Sequence, residues 1–335
     1  MGQARPFLYM QDEMKNGNCK GDAGGSLSVT VVIPVFDSEA TLGQCVASVV
    51  RQDCAGLEIV LVDDGSRDGS GILCDEWAAK DDRVKVVHQE NRGRSAARAA
   101  GVEAARAQWV CFVDSDGALP PGAVSRLLAA AAPDVDIVLG NGRLLGEHFR
   151  ERIPMCDFRH LAVRGEGPIG VPWGSLFRRS LLSNDYVWDI PREIYMGEDY
   201  IFWLRVAFGT EKPVAVVHAN VYDKGPDTTS SRFVWDVGYA LAVDRLRREA
   251  IPAGEHEAYL ADMVADRMVN LMAVALHQPA REWRRSRFYA EWLADVARAG
   301  FEVPRGARLY LSLPFRWMRK AYSRLSDVKQ KMIGK

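Results

Sequence analysis

The residues best equipped for chemistry in this chain of 335 residues are carboxylates and arginines that gather where apolar runs end. The run Trp-Val-Cys-Phe-Val at 109–113 stops at Asp114, Ser115, Asp116 and Gly117. Two carboxylates one residue apart offer oxygen ligands to a hard divalent ion such as Mg or Mn, which can also bridge a diphosphate. By type alone they could equally be turn or cap aspartates ahead of Pro120 and Pro121. Their place at the end of a buried strand favours the ligand role.

Four more groups carry chemistry. After the run 57–62 comes a string of turn formers containing Asp64, which could accept a hydrogen bond from a base or ribose donor. After the run 29–35 come Phe36, Asp37 and Glu39, a ring able to stack and carboxylates able to hold hydroxyls. The spacing of Asp64, Ser66, Asp68, Gly69 and Asp75 approximates a calcium loop, but such a loop follows a helix and the residues before it read as a strand. Around residue 94, Arg92, Arg94, Ser95 and Arg98 surround a helix start, where guanidinium groups and free N–H groups can hold phosphate. Glu198 and Asp199 open another helical pattern. They either complement its positive end or supply a general base for a hydroxyl, and the residues alone leave both open.

The elements that must position these groups follow from periodicity. Apolar runs at 29–35, 57–62, 84–88 and 109–113 alternate with helical spacing at 40–51, 72–80 and 95–106. That alternation predicts an α/β fold, a doubly wound and mostly parallel sheet flanked by helices, with every candidate group on one edge. A helix at 122–132 and a strand at 136–139 follow, and periodicity is poor over 143–172. Amphipathic patterns at 233–249 and 255–277 predict a C-terminal helical extension. The divisions expected are a loosely ordered leader 1–27, a main domain 28–232 that splits near 120 (28–120, 121–232), a helical region 233–300 and a basic amphipathic tail 301–335. In that tail Met318, Tyr322, Leu325, Val328 and Met332 form an apolar stripe among many Lys and Arg residues. The stripe suits either a membrane surface or the chain's own domain.

Composition narrows the class. With 48% hydrophobic residues, 26% charged residues and a net charge of -1, the chain reads as globular and not as a nucleic-acid binder. Its six cysteines show no metal or disulfide spacing, and no segment reaches the roughly 18 apolar residues of a spanning helix, so a cytoplasmic protein is expected.

The stretches VVIPVFDSEATL, VDDGSRDGS, ENRGRSAARAAG, FVDSDG, GSLFRR and MGEDYIFWLR, in this order between residues 29 and 222, resemble the family 2 glycosyltransferases of GT-A fold. The resemblance implies an enzyme of hexosyltransferase type. It would move a sugar, with inversion, from a nucleotide diphosphate donor, usually UDP-linked, to a saccharide or lipid-linked acceptor. Such enzymes serve cell-envelope or extracellular polysaccharide synthesis, and the tail would place this one peripherally on the inner membrane face. By position, residues 28–120 would form the nucleotide-sugar half and 121–232 the acceptor half. Pro34, Phe36, Asp37, Glu39 and Asp64 would line the nucleoside pocket, with Ser95 and Arg98 in the donor loop. Asp114, Ser115 and Asp116 would be the D-x-D element with Asp116 the main contact of a Mg or Mn ion, and Asp199 would be the catalytic base. Glu198 and Trp173 are candidates for the acceptor side, as are the rings of Trp188 and Tyr195.

The chain departs from the family pattern at Gly117, Asp37 and Ala99, where an acidic residue, Asn and Asn are common. A catalytically inactive sugar-nucleotide binder or scaffold is the alternative, and Asp116 and Asp199 argue against it. A sugar nucleotidyltransferase would carry a Gly-rich basic loop after the first strand, and a dehydrogenase a G-x-G-x-x-G there; neither is present.

Overall fold

The computed structural model describes residues 28–140, 150–165, 170–225 and 233–333, so the expected leader lies outside the described residues. Four parallel strands form its centre: β1 (Val29–Val35), β2 (Leu57–Asp63), β3 (Val84–His88) and β4 (Trp109–Phe112). They are connected by α1 (Glu39–Val50), α2 (Ser70–Lys80) and α3 (Arg94–Ala104).

Their side chains alternate between two cores. Val32, Val60, Val62, Val110 and Phe112 enter one, while Val31, Ile33, Ile59, Leu61 and Cys111 enter the other. Helices on both faces bury both sets, which is why each strand reads as a continuous apolar run. Each such side chain contributes about 1.5–3 kcal/mol on leaving water.

Beyond α4 (Ala123–Ala129) and β5 (Ile137–Leu139) come β6 (Arg152–Ile153), α5 (Met155–Arg164), β7 (Leu176–Arg178), the short helices α6 (Arg179–Leu182) and α7 (Asp185–Trp188), then α8 (Glu198–Ala207) and β8 (Val214–Val216). The sheet runs β3-β2-β1-β4-β7-β5-β8-β6. Here the mostly parallel expectation needs refining, because β7 lies antiparallel between β4 and β5, and β6 pairs antiparallel with β8. The aperiodic stretch 143–172 also contains a helix, α5, which buries Met155, Phe158, Ala162 and Val163.

The C-terminal extension consists of α9 (Val237–Glu249), α10 (Leu260–His277), α11 (Ala280–Trp283), α12 (Arg287–Ala299), α13 (Arg305–Ser312) and α14 (Arg316–Ile333). One apolar core holds Val264, Leu271, Trp283, Phe288, Trp292, Tyr310 and Leu311, with Tyr322 packed against it, so it spans the expected division at residue 300. Among the described residues no helix is long and apolar enough to cross a membrane. Cys45, Cys54, Cys74, Cys111 and Cys156 are all unbridged.

Candidate active site

The parallel register brings the C-terminal ends of β1, β2 and β4 to one edge, with Val35 opposite Asp63 and Val32 opposite Phe112. Above that edge opens a cleft of about 1180 Å³. Its wall includes Pro34, Phe36, Asp37, Glu39, Asp64, Ser95, Asp114, Ser115, Asp116 and Glu198. These residues, all singled out in the sequence, therefore meet around one space.

On the side of β1 and β2, loops hold one another. Asp37 adopts φ 45°, a left-handed conformation that Asn and Asp tolerate better than most residues. Its carboxylate accepts from the Arg67 backbone N–H at 2.8 Å and from the Arg67 guanidinium, which holds it below the usual carboxylate range. The same guanidinium lies over the ring of Phe36 at 5.4 Å, and Phe36 remains 41% exposed toward the cleft. Glu39 accepts from the Gly69 N–H at 3.0 Å. Ser38 and Ser115 share a hydroxyl hydrogen bond of 2.7 Å that ties this wall to the Asp114–Asp116 loop.

Asp64 holds a neighbouring loop, a role that the sequence did not reveal. Its Oδ1 accepts from the Arg92 N–H at 2.8 Å and the Gln89 amide at 2.7 Å, and its Oδ2 accepts from the Gly93 N–H at 2.9 Å. Gly93 has φ 93°, a conformation other residues rarely adopt, and this turns its N–H toward the carboxylate. Asp64 therefore shapes the loop that leads into α3.

Arg98 does not line the cleft. It is 2% exposed and stands between two carboxylates, with Nη1 donating to Asp199 Oδ1 at 2.7 Å and Nη2 to Asp114 Oδ1 at 3.2 Å. Burial opposes its charge, but Asp199 and Asp114 more than offset that and keep it protonated more firmly than an ordinary guanidinium. Its Nε has no partner among the described residues. So one buried cation fixes the start of α8, whose Asp199 lies 101 residues beyond it in sequence, relative to the end of β4.

The acidic groups differ in how much of them is engaged. Asp116 forms no side-chain ion pair among the described residues, and burial followed by the charge of Asp114 raises its carboxyl above the usual range. Glu198 is 4% exposed and accepts from Arg94 Nη1 at 2.7 Å. Burial, then the neighbouring Asp199, push it up to about 7 despite that contact. Asp199, next along α8, does not itself border the cleft, and only its Oδ1 is taken by Arg98.

Gly117 has a steric reason for being glycine. A Cβ there would lie 1.9 Å from the Tyr222 hydroxyl oxygen. Tyr222 stacks on Trp173 with ring centres 4.1 Å apart, so Trp173 packs beside the Asp114–Asp116 loop rather than on the cleft wall. Trp188 is drawn into the core against Phe112 and Phe202. Of the three rings proposed for the acceptor side, Tyr195 alone is on the wall, 54% exposed and edge-on to Phe233.

Comparison with known proteins bears on family and fold. Residues 30–184 match the family model described as Glycosyl transferase family 2. Glycosyltransferase GlyA of Streptococcus pneumoniae is 39% identical over 278 residues, 75% of this chain and 39% of that protein. Cholesterol galactosyltransferase of Borreliella burgdorferi is 35% identical over 204 residues, 55% of this chain and 56% of that protein. The chain thus spans less than two thirds of the length of these curated relatives. In fold it is similar to TarS 1-349 of S. aureus in complex with UDP-GlcNAc (TM-score 0.56, 16% identity, 83% of this chain and 93% of that one). It is also similar to the mannosyltransferase PcManGT of Pyrobaculum calidifontis in complex with GDP-Man and Mn2+ (TM-score 0.54, 20% identity, 91% and 87%). The domain that carries the cleft belongs to glycosyltransferase family 2 and has the GT-A fold.

Proposed function

We propose that this chain is an inverting glycosyltransferase that moves a sugar from a nucleotide diphosphate donor, UDP-linked, to a hydroxyl of a saccharide or lipid-linked acceptor in envelope or extracellular polysaccharide synthesis. One observation carries the proposal. Asp114, Asp116 and Glu198 border one cleft of about 1180 Å³, and the buried Arg98 ties Asp199, next to Glu198 on α8, to Asp114. That volume suits a nucleotide sugar. The relatives and fold neighbours named above support the donor class.

Phe36 stacks on the base, and the Asp37–Glu39 and Asp64 loops shape the nucleoside end of the cleft. Arg92 and Arg94, on the same wall, face the diphosphate. Asp116, carrying no ion pair of its own, fits a divalent cation, with the free oxygen of Asp114 as the second ligand. When bound, Mg or Mn supplies neutralisation of charge on the departing diphosphate. Among the described residues Asp199 keeps one carboxylate oxygen free of protein donors while Arg98 fixes the other, which suits it to take the proton of the attacking hydroxyl. Glu198 and Tyr195 face the acceptor. The chain works at the cytoplasmic face of a membrane, where a lipid-linked acceptor resides.

Nucleotide binding tests the donor half. Titrated with UDP and Mn, Asp116→Ala is expected to lose the metal-dependent part of the affinity and to melt at the parent's temperature. Unchanged metal-dependent binding would remove Asp116 from the site.

A further inference from the structure

The corner where α13 meets α14 differs from the rest of the surface. Arg319 pins α14 in place. Fully buried, it donates from Nε to the Ala275 carbonyl at 2.5 Å and from Nη2 to the Gln278 carbonyl at 2.9 Å, both at the end of α10, and from Nη1 to the Leu313 carbonyl after α13 at 2.7 Å. Tyr322, one turn on, packs against Tyr310 with ring centres 6.0 Å apart. The first two turns of the stripe that the sequence offered to a membrane therefore face the chain's own core. Leu325, Val328 and Met332 lie outside the described side chains.

That orientation leaves other apolar groups outside. Trp317 is 68% exposed, Phe315 59% and Leu309 51%. Around them Arg305, Arg308, Arg316, Lys320 and Arg324 are exposed and form no ion pair among the described residues. Between Glu302 and Asp327 the chain has no acidic residue at all. A solvated protein surface normally interleaves both signs and hides its Trp and Phe. Here large rings protrude from a stretch of chain whose charged residues are all cationic.

We propose that this corner is a membrane-docking element that places Phe315 and Trp317 at the headgroup–acyl boundary of a bilayer carrying anionic lipid, with the surrounding Arg and Lys on its phosphates. Amphipathic rings favour that depth, and long cationic side chains keep their charged ends at the phosphate level while their stems lie along apolar surface. Each such cation is drawn to an anionic surface, so the set compensates for the small apolar area. Arg319 matters differently. By tying α14 to α10 it makes the rings a rigid projection of the helical region. The inference deepens the peripheral placement proposed above and uses none of the catalytic residues, so nucleotide binding tells failure of one from failure of the other.

Co-sedimentation of the full chain with lipid vesicles tests it. The parent is expected to pellet with phosphatidylcholine vesicles containing phosphatidylglycerol, to stay in solution with pure phosphatidylcholine, and to be released by added salt. The double variant Phe315→Ser/Trp317→Ser should lose pelleting. Arg316→Glu/Lys320→Glu should lower the partition coefficient about tenfold or more. All these side chains are exposed, so both variants should melt and bind UDP as the parent does. A parent that stays in solution with anionic vesicles overturns the proposal. So does a parent that pellets equally with neutral vesicles, or folded variants of either kind that pellet like the parent.

Discussion

Two arginines buried to nearly the same degree, Arg98 in the α/β domain and Arg267 in the C-terminal helices, each gather acidic groups from distant elements, and they do so to different completeness. Arg267 donates from Nε and Nη2 to both oxygens of Asp244 at 2.6 and 2.5 Å, from Nη1 to Asp295 at 2.9 Å and from Nη2 to Glu291 at 2.9 Å. Arg248 adds a second cation on Asp244 and Asp295. That knot joins α9, α10 and α12 and leaves little bonding capacity over. Arg98 makes one bond to each of two carboxylates and has an orphan Nε. The spare oxygens lie beside a cleft. Burial therefore does not separate a structural ion cluster from a functional one; unused hydrogen-bonding capacity does, because a group that has spent all its bonds on the protein has none left for a substrate.

Variants can break or sharpen that contrast. The largest effect on stability belongs to Arg267→Ala, which leaves buried carboxylates without a partner and should lower the unfolding free energy by about 3–5 kcal/mol. Turnover per folded molecule should stay close to the parent's. Denaturant unfolding measured with activity at matched folded fraction checks both, and an equal loss of specific activity would erase the distinction. Next comes Arg98→Lys, which keeps the charge but not the fork that spans Asp114 and Asp199. Turnover should fall about a hundredfold, as misplaced catalytic groups do, with folding retained. If it turns over like the parent, the bridge has no positioning role.

Glu198→Gln comes third and depends on pH. The folded-state carboxyl is raised from 4.5 to about 7, so its contribution to stability is fully present below the unfolded value and is lost as pH rises through 7. The Gln variant should match the parent near pH 4.5 and exceed it by about 2–3 kcal/mol at pH 8, as followed by thermal melts across that range. A constant difference across the range would mean that Glu198 titrates normally. Smallest is Arg67→Ala. Its pair with Asp37 is solvent-exposed, so the melting temperature should barely change, while UDP affinity drops modestly as Phe36 and Asp37 lose their support. Calorimetric titration beside a melt separates the two.

What the sequence disclosed depended on distance along the chain. β1 to β4 were legible because strands buried on both faces are uninterrupted apolar runs, and the carboxylates after them because strand ends of one parallel sheet share an edge. The two- and three-residue strands β6 and β7 were too short for periodicity to register, so the antiparallel turn of the sheet stayed hidden. Arg98 looked like a loop arginine facing phosphate, because nothing local shows that Asp199, 101 residues on, occupies its other side. Trp173 was one of three candidate rings for the acceptor side, and its stacking partner Tyr222 was hidden for the same reason. The unusual Gly117 was visible as a departure, but the Tyr222 hydroxyl that forbids a side chain there was not. In the tail, amphipathicity was readable and its direction was not, since the buried Arg319 turns the cationic helix face inward at a single point.

The most direct test of glycosyl transfer at this cleft is UDP release from a panel of UDP-sugars with Mn and saccharide or lipid-linked acceptors, comparing the parent with Asp199→Asn and measuring donor affinity alongside. The expected result is metal-dependent release by the parent, and a variant that binds donor equally well but turns it over about 10²- to 10⁴-fold more slowly. A variant that matches the parent's turnover on the acceptor that supports it would contradict the assignment of Asp199 as the base.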